Sequence, residues 1–340
     1  MVLGILLLAL IIGFIVYLGI GQMKISFSEV IDVFLGNGEQ RYRIAIFNVR
    51  LPRAVTAVLI GGILAASGAV MQCVLENSLA SSSTLGVSQG AAFGAALGII
   101  VFGGGVMTNA NSTAGIAVNN PYIVTLCAFV FGSLSSVIVI LLSKLHLAEG
   151  PSGMVLAGTA LSAMFSGGNT LLQYFADDTS LGAVVFWTFG NLGNAGWKDI
   201  RYIAVVCVLA MLFFVYNRWN YNAMCAGYET AKSLGVDTQK TMLSSMAVCS
   251  LASAVAVSFV GIIGFVGLIA PHAVRFFTGD DYRYLIPGSA MAGSLLLLVA
   301  DGVAKIVVQP IILPIGAIMS FIGGPAFLIL LFRRNRNGRN

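Results

Sequence analysis

The groups able to carry ion chemistry in this 340-residue chain are thirteen acidic residues, two histidines and five cysteines, and what they can do depends on their depth. A carboxylate in the middle of an apolar segment would bind and release a proton or sodium ion, because ionisable groups there are the coupling sites of gradient-driven transport. None is expected there. Glu76 and Asp301 come nearest and fall at segment ends, whereas Glu29, Asp32, Glu39, Glu149, Asp177, Asp178, Asp199, Glu229, Asp237, Asp280 and Asp281 fall in connections. His146 and His272 stand far apart without cysteine or carboxylate neighbours, so they make no metal or catalytic site. Cys73, Cys127, Cys207 and Cys249 lie in apolar segments and Cys225 in a connection. They show no paired or ligand-like spacing and are read as packing residues.

The elements that position these groups are membrane helices. With 58% hydrophobic residues, 9% charged and a mean hydropathy of +0.94, the chain lies far from the soluble average of about one quarter charged residues. A crossing takes about 20 apolar residues, so the length holds roughly ten helices in one transmembrane domain, 1–340, with no room for a soluble one. Long period-two segments typical of membrane barrels are missing, so the fold class is all-α and polytopic. Spans are expected at 2–20, 54–76, 87–103, 122–146, 153–175, 199–216, 242–260, 262–277, 285–304 and 315–332. The Pro and Gly content of 262–277 makes that one short or partly re-entrant.

The first span has no basic leader or small-residue cleavage site, which predicts a retained helix and a cytoplasmic amino terminus. On that orientation Lys144, Arg218, Lys232, Lys240, Arg275, Arg283 and the tail Arg333, Arg334, Arg336 and Arg339 face the cytoplasm. Lys24, Arg41, Arg43, Arg50, Arg53, Lys198, Arg201 and Lys305 face outward, a surplus that a docking surface would account for. The +5 net charge is assigned to cytoplasmic Lys and Arg, and nucleic acid is excluded as a partner. Gly86, Gly90, Gly94 and Gly98 recur every four residues, and Gly61, Ala65 and Ala69 repeat the device. Such stripes let a neighbouring helix approach closely. On the fifth span, Ser162, Ser166, Asn169 and Gln173 stand at offsets of 0, 4, 7 and 11 and share one face. That stripe either lines a watery passage or hydrogen-bonds to another helix.

Several segments together carry a resemblance. Arg50-Leu-Pro-Arg53 opens the second span, which runs through Ser67-Gly-Ala-Val-Met-Gln72 to Glu76-Asn-Ser-Leu-Ala80, followed by Leu85-Gly-Val-Ser88. Downstream come Gly264-Phe-Val-Gly-Leu-Ile-Ala-Pro-His-Ala-Val-Arg275, Leu313-Pro-Ile-Gly316 and Gly323-Gly-Pro-Ala-Phe327. In this order they resemble the membrane permeases of iron-chelate, haem and cobalamin ABC importers, the FecCD family, over nearly the whole chain. The resemblance implies a ten-helix subunit of the prokaryotic plasma membrane, working as a pair, usually a homodimer. It implies separate ABC ATPase subunits, an extracytoplasmic binding protein, a metal-chelate substrate and no cofactor. The chain has no Gly-x-x-x-x-Gly-Lys-Ser/Thr loop, in keeping with ATP hydrolysis on another subunit.

By the same resemblance, Arg50, Arg53 and Lys305 are implied to receive acidic side chains of the binding protein, with Lys305 lacking the planar fork of the family's usual arginine. Glu229, Ala231, Leu234 and Gly235 fall in the implied ATPase-coupling segment, Gly235 at a position that calls for positive φ. The fifth-span stripe is implied to face the cavity between subunits. Asn77 and Leu79 match the inner constriction, and Glu149 to Ser152 the second gate. Ser78 and Ser82 replace usual prolines, which predicts a looser loop, and Ile312 replaces the acid before the terminal Leu-Pro pair. Two other classes fit less well. A gradient-driven transporter or channel calls for intramembrane carboxylates or a charged filter, and an intramembrane enzyme calls for a base near its nucleophile.

Overall fold

The computed structural model describes the chain apart from residues 1, 22, 24, 107–116, 119, 146, 148–149, 310 and 338–340. Helix α1 (Val2–Gly19) is followed by α2 (Phe27–Phe34) and α3 (Gln40–Ile44). A π-helical turn, Ala45–Arg50, leads α3 directly into α4 (Leu51–Val74). Next come α5 (Val87–Ile100), α6 (Pro121–Lys144), α7 (Gly150–Tyr174), α8 (Asp178–Thr188), α9 (Trp197–Tyr216), α10 (Arg218–Cys225) and α11 (Tyr228–Ser233). The chain closes with α12 (Thr238–Val260), α13 (Val266–Thr278), α14 (Tyr282–Ile306) and α15 (Ile315–Asn337). Among the described residues the only extended pairing is Gly105–Val106 against Ala117–Val118.

All ten expected spans fall on helices. Among the described residues, seven helical stretches are long and apolar enough to cross a membrane: α1, the continuous Gln40–Val74, α6, α7, α9, α12 and α14. At 1.5 Å per residue the 13 residues of α13 reach only about 20 Å, short of the roughly 30 Å hydrocarbon core. It is the short span expected from its Pro and Gly content. Helix α8 is absent from the hydropathy reading because it has only 11 residues and opens on Asp178. Its amino end is fixed by Asp177, whose carboxylate accepts from the Thr179 hydroxyl and from the Thr179 and Ser180 N–H groups, bonds that hold it well below the usual range, the Thr179 side chain foremost.

The helices fall into two compact units, each assembled from separate stretches of chain. In the first (Met1–Ala69, Asn191–Arg218 and Gly264–Asn340), α14 packs against α1, α9, α13 and α15. Small residues let α4 approach α13 and α14 closely: a methyl on Gly61 would overlap the carbonyl of Gly293, and one on Gly68 the carbonyl of Gly267. Ser294 donates to the Val58 carbonyl at 2.6 Å and Tyr282 to the Ala69 carbonyl at 3.0 Å. These two hydroxyl groups are thereby satisfied without water.

In the second unit (Val70–Gly190 and Trp219–Ile263), α5 is central and packs against α6, α7, α8 and α12. Its Ala91, Ala92, Ala95, Ala96 and Ile99 are buried with Val124, Ala128, Val184, Trp187 and Val257. Gly90, Gly94 and Gly98 face the α6 backbone at Phe131, Cys127 and Val124, so the stripe serves packing within the chain. Gly86 is needed for its backbone instead, since at φ 76° it caps the 3-10 turn Ser82–Leu85 and starts α5.

Candidate permease sites

At one end of α14 the fold assembles a buried charge cluster. Arg53, in the first turn of α4, sends Nε to Asp301 Oδ2 at 2.8 Å and Nη2 to Oδ1 at 2.7 Å, a bidentate pair. Tyr17 donates to Asp301 Oδ2 at 2.5 Å, and Lys305 donates to the Tyr17 hydroxyl at 2.6 Å while standing 3.6 Å from Asp301. Asp301 is fully buried and Arg53 and Lys305 are 8% and 7% exposed. One turn before Arg53, Arg50 donates to the Leu18 carbonyl at 2.6 Å and also to the Met23 carbonyl. The carboxyl end of α1 is thus gripped twice, through Tyr17 and through Leu18.

This arrangement changes two expectations. Asp301, expected at a span end, lies five residues inside α14, and Arg50, Arg53 and Lys305, expected to face outward for docking, are buried and bonded within the chain. The physical reason is Asp301 itself, one helical turn before Lys305. A carboxylate there is tolerated in an apolar setting only with paired cations and filled lone pairs, and this one has both. It is committed to Arg53, Lys305 and Tyr17, not held open for a travelling proton. Three cations against one carboxylate leave the cluster with surplus positive charge.

A second site surrounds α11. Gly227 and Gly235 flank this six-residue helix at φ 109° and 85°. The Gly235 N–H donates to the Lys232 carbonyl at 2.9 Å and the Val236 N–H to the Ala231 carbonyl at 3.0 Å, a Schellman closure that needs the positive φ. Ala231 is fully buried, and the Tyr228 hydroxyl donates to the Val74 carbonyl at 2.7 Å and lies 3.2 Å from Met242 Sδ. Leu234, by contrast, is 68% exposed, and Glu229 with its ion-pair partner Lys232 is exposed on the same short helix. The result is a small helix anchored by two residues, with an apolar tip projecting.

Beyond α4, Asn77 forms an Asx turn, its Oδ1 accepting from the Leu79 N–H at 2.9 Å. The Ala80 N–H donates to the Asn77 carbonyl at 2.9 Å, and Ser81 is tied to Thr84 on both sides. These bonds, with Glu76 at φ 46°, shape the loop that missing prolines were expected to loosen. Leu79 projects, 46% exposed. Ser152 is exposed at the start of α7, and Glu149 lies outside the described residues.

Along α7, Ser162 turns its hydroxyl onto the Gly158 carbonyl at 2.8 Å, Ser166 is exposed, and Asn169 and Gln173 are half-buried. Asn169 Oδ1 is without a partner among the described residues. The stripe therefore exists as one face, with Ser162 satisfied locally. Leu156, Met164 and Leu171, turned away from the stripe on other sides of the helix, are exposed. His272 packs its ring edge-on to Phe327, with Nδ1 2.8 Å from the Leu268 carbonyl oxygen. Tyr17 and the Cys73–Cys225 contact escape the sequence reading, because their partners lie far away in the chain.

The FecCD transport family matches residues 8–333. The "Putative ABC transporter permease protein MJ0087" of Methanocaldococcus jannaschii is 49% identical over 97% of this chain and 93% of its own. The vitamin B12 import system permease protein BtuC of Escherichia coli is 32% identical over 90% of this chain and 87% of its own. A solved structure described as "an inward-facing conformation of a putative metal-chelate type ABC transporter" superposes with a TM-score of 0.84 at 30% identity, covering 97% of this chain and 98% of that one. With the permease fold and the family match both in hand, the chain belongs to the FecCD transport family and is an ABC transporter permease, a multi-pass protein of the cell membrane.

Proposed function

We propose that the whole chain acts as one transmembrane domain and forms, with a second permease copy, the wall of an importer for a metal chelate or cobalamin. Separate ATPase subunits drive it and an extracytoplasmic binding protein loads it. The observation that carries this reading is α11: anchored through Tyr228 and Ala231, closed at Gly235 and exposing Leu234, it has the build of a lever tip for an ATPase cleft. Relatives named for hemin, vitamin B12 and iron(3+)-hydroxamate support the substrate class. Gly235→Val should leave the protein folded and inserted but abolish most substrate-dependent uptake, because a β-branched residue at φ 85° opens the Schellman closure. Uptake and ATPase rate measured together in proteoliposomes check this, and normal coupling in the variant would rule the lever out.

For docking, the surplus positive charge around Arg50, Arg53 and Lys305 attracts acidic side chains of the binding protein in spite of its burial, acting as a field more than as free forks. Arg50→Gln should therefore weaken binding-protein stimulation of the ATPase, most at low salt, and a salt-independent effect would contradict the field. Reversing Arg53 to Glu is a poor probe, since it would set a second carboxylate against Asp301.

For the passage, the polar stripe of α7 faces the second copy, with Ser166, Asn169 and Gln173 lining the path and Asn77, Leu79, Glu149 and Ser152 at its constrictions. Neutral polar walls suit a large solute that must be released. Ser166→Cys should crosslink copy to copy and stop uptake; crosslinking with full transport would remove α7 from the path.

A further inference from the structure

Hydropathy and spacing treat Cys73 and Cys225 as separate packing residues, 152 positions apart, yet the fold brings their sulfurs to 3.2 Å. Cys73 sits in the last turn of α4 and is buried, its thiol also 3.5 Å from the Tyr221 carbonyl oxygen. Cys225 ends α10 and is exposed. Three residues further on, Tyr228 begins α11 and bonds to the carbonyl of Val74, the neighbour of Cys73. The sulfur contact and the tyrosine bond are therefore adjacent ties between the end of α4 and the segment entering α11. An S–S bond of about 2.05 Å requires the two sulfurs to close by roughly one ångström, which side-chain rotation can supply.

We propose that Cys73 and Cys225 are a reversible redox pair, joined to a disulfide by exchange with a small-molecule disulfide, and that the bond clamps the α10–α11 connection to the end of α4. The exposed Cys225 thiolate attacks one sulfur of the oxidant, forming a mixed disulfide and expelling a thiolate that takes up the proton. Cys73, deprotonated in turn, attacks the Cys225 sulfur and expels the second thiol. Two cysteine thiols and one small disulfide become one protein disulfide and two small thiols; the cysteines lose two electrons and the oxidant gains them. A disulfide open to solvent on one side, as here at Cys225, can be attacked by small thiols and so belongs with the labile, regulatory ones. The clamp's effect on transport rests on the coupling role proposed for α11, whereas the sulfur chemistry does not.

The test treats the full-length purified protein in lipid nanodiscs with glutathione disulfide, then maps cysteines by mass spectrometry of peptides. A 73–225 linked peptide, lighter by two hydrogens and reversed by dithiothreitol, is expected in the wild type. Cys73→Ser should instead trap a glutathione adduct on Cys225, and Cys225→Ser should form neither product. Wild-type protein that accumulates the Cys225 adduct with Cys73 still reduced would overturn the pair. With ATPase subunits and binding protein added, oxidation should remove most of the stimulated ATPase rate, and the double serine variant should be indifferent to oxidant. A linkage that forms without changing that rate would overturn the clamp and count against α11 as the lever, whereas a missing linkage would leave the Gly235→Val result untouched.

Discussion

Asp301→Ala should cost about 3–5 kcal/mol of stability, the range found when one partner of a buried ion pair is removed. The loss is large because Asp301 compensates two cations at once, Arg53 through a bidentate contact and Lys305 at 3.6 Å, and alanine would leave both buried without a counter-charge. It also removes the acceptor of the Tyr17 hydroxyl, which orients Lys305. Tyr17→Phe should cost less, about 1.5–3 kcal/mol, because only hydrogen bonds to charged groups are lost and the ring still packs. Replacing Asp301, Arg53 and Lys305 together by apolar residues of similar volume should recover most of the loss, since the desolvation penalty then disappears. Thermal unfolding in detergent, with the folded fraction from gel filtration, ranks these variants. Equal losses for Tyr17→Phe and Asp301→Ala would show that the cluster does not depend on its carboxylate.

Gly94→Leu is expected to disrupt the second unit. A β-carbon at Gly94 overlaps the Cys127 carbonyl and lies 3.0 Å from Phe131 Cβ, so the α6 backbone itself would have to move. Overpacking typically costs about 1–3 kcal/mol when side chains can yield, and here the obstacle is main chain, so the upper end or beyond is expected. The control is Gly167→Ala on α7, where nothing lies within 4 Å of the added methyl. That change should be neutral or gain about 0.5–1 kcal/mol through helix propensity. Melting temperatures of the two variants in one detergent compare them directly, and a tolerated Gly94→Leu would mean that α5 and α6 are not held at the distance observed.

The hydropathy pattern made the crossing helices legible because burial in lipid demands long apolar runs and leaves little choice of structure. The spacing of Gly90, Gly94 and Gly98 revealed a packing face, since period four puts them on one side of a helix. The four polar residues of α7 were legible for the same reason. What escaped was contact at long range. Asp301 and Lys305 show their i, i+4 relation in sequence, but Arg53 is 248 residues away and Tyr17 284, so a charge that looks peripheral turns out buried and paired. The proline-free loop after α4 is similar: Asn77, Ser81 and Thr84 supply in hydrogen bonds the definition that fixed φ angles would have given. Helix α8 went unseen because its ends are set by the Asp177 cap and not by hydropathy.

Among the described residues Asp301 is the buried carboxylate, and its commitment to fixed cations supports the proposal that ATPase subunits engaged through α11 drive transport. The most direct measurement places the purified protein in vesicles, with and without its ATPase and binding-protein partners, and follows uptake of labelled chelate or cobalamin. Accumulation should need internal ATP and both partners, and should be indifferent to imposed proton or sodium gradients. Concentrative uptake by the protein alone under an ion gradient would contradict the account.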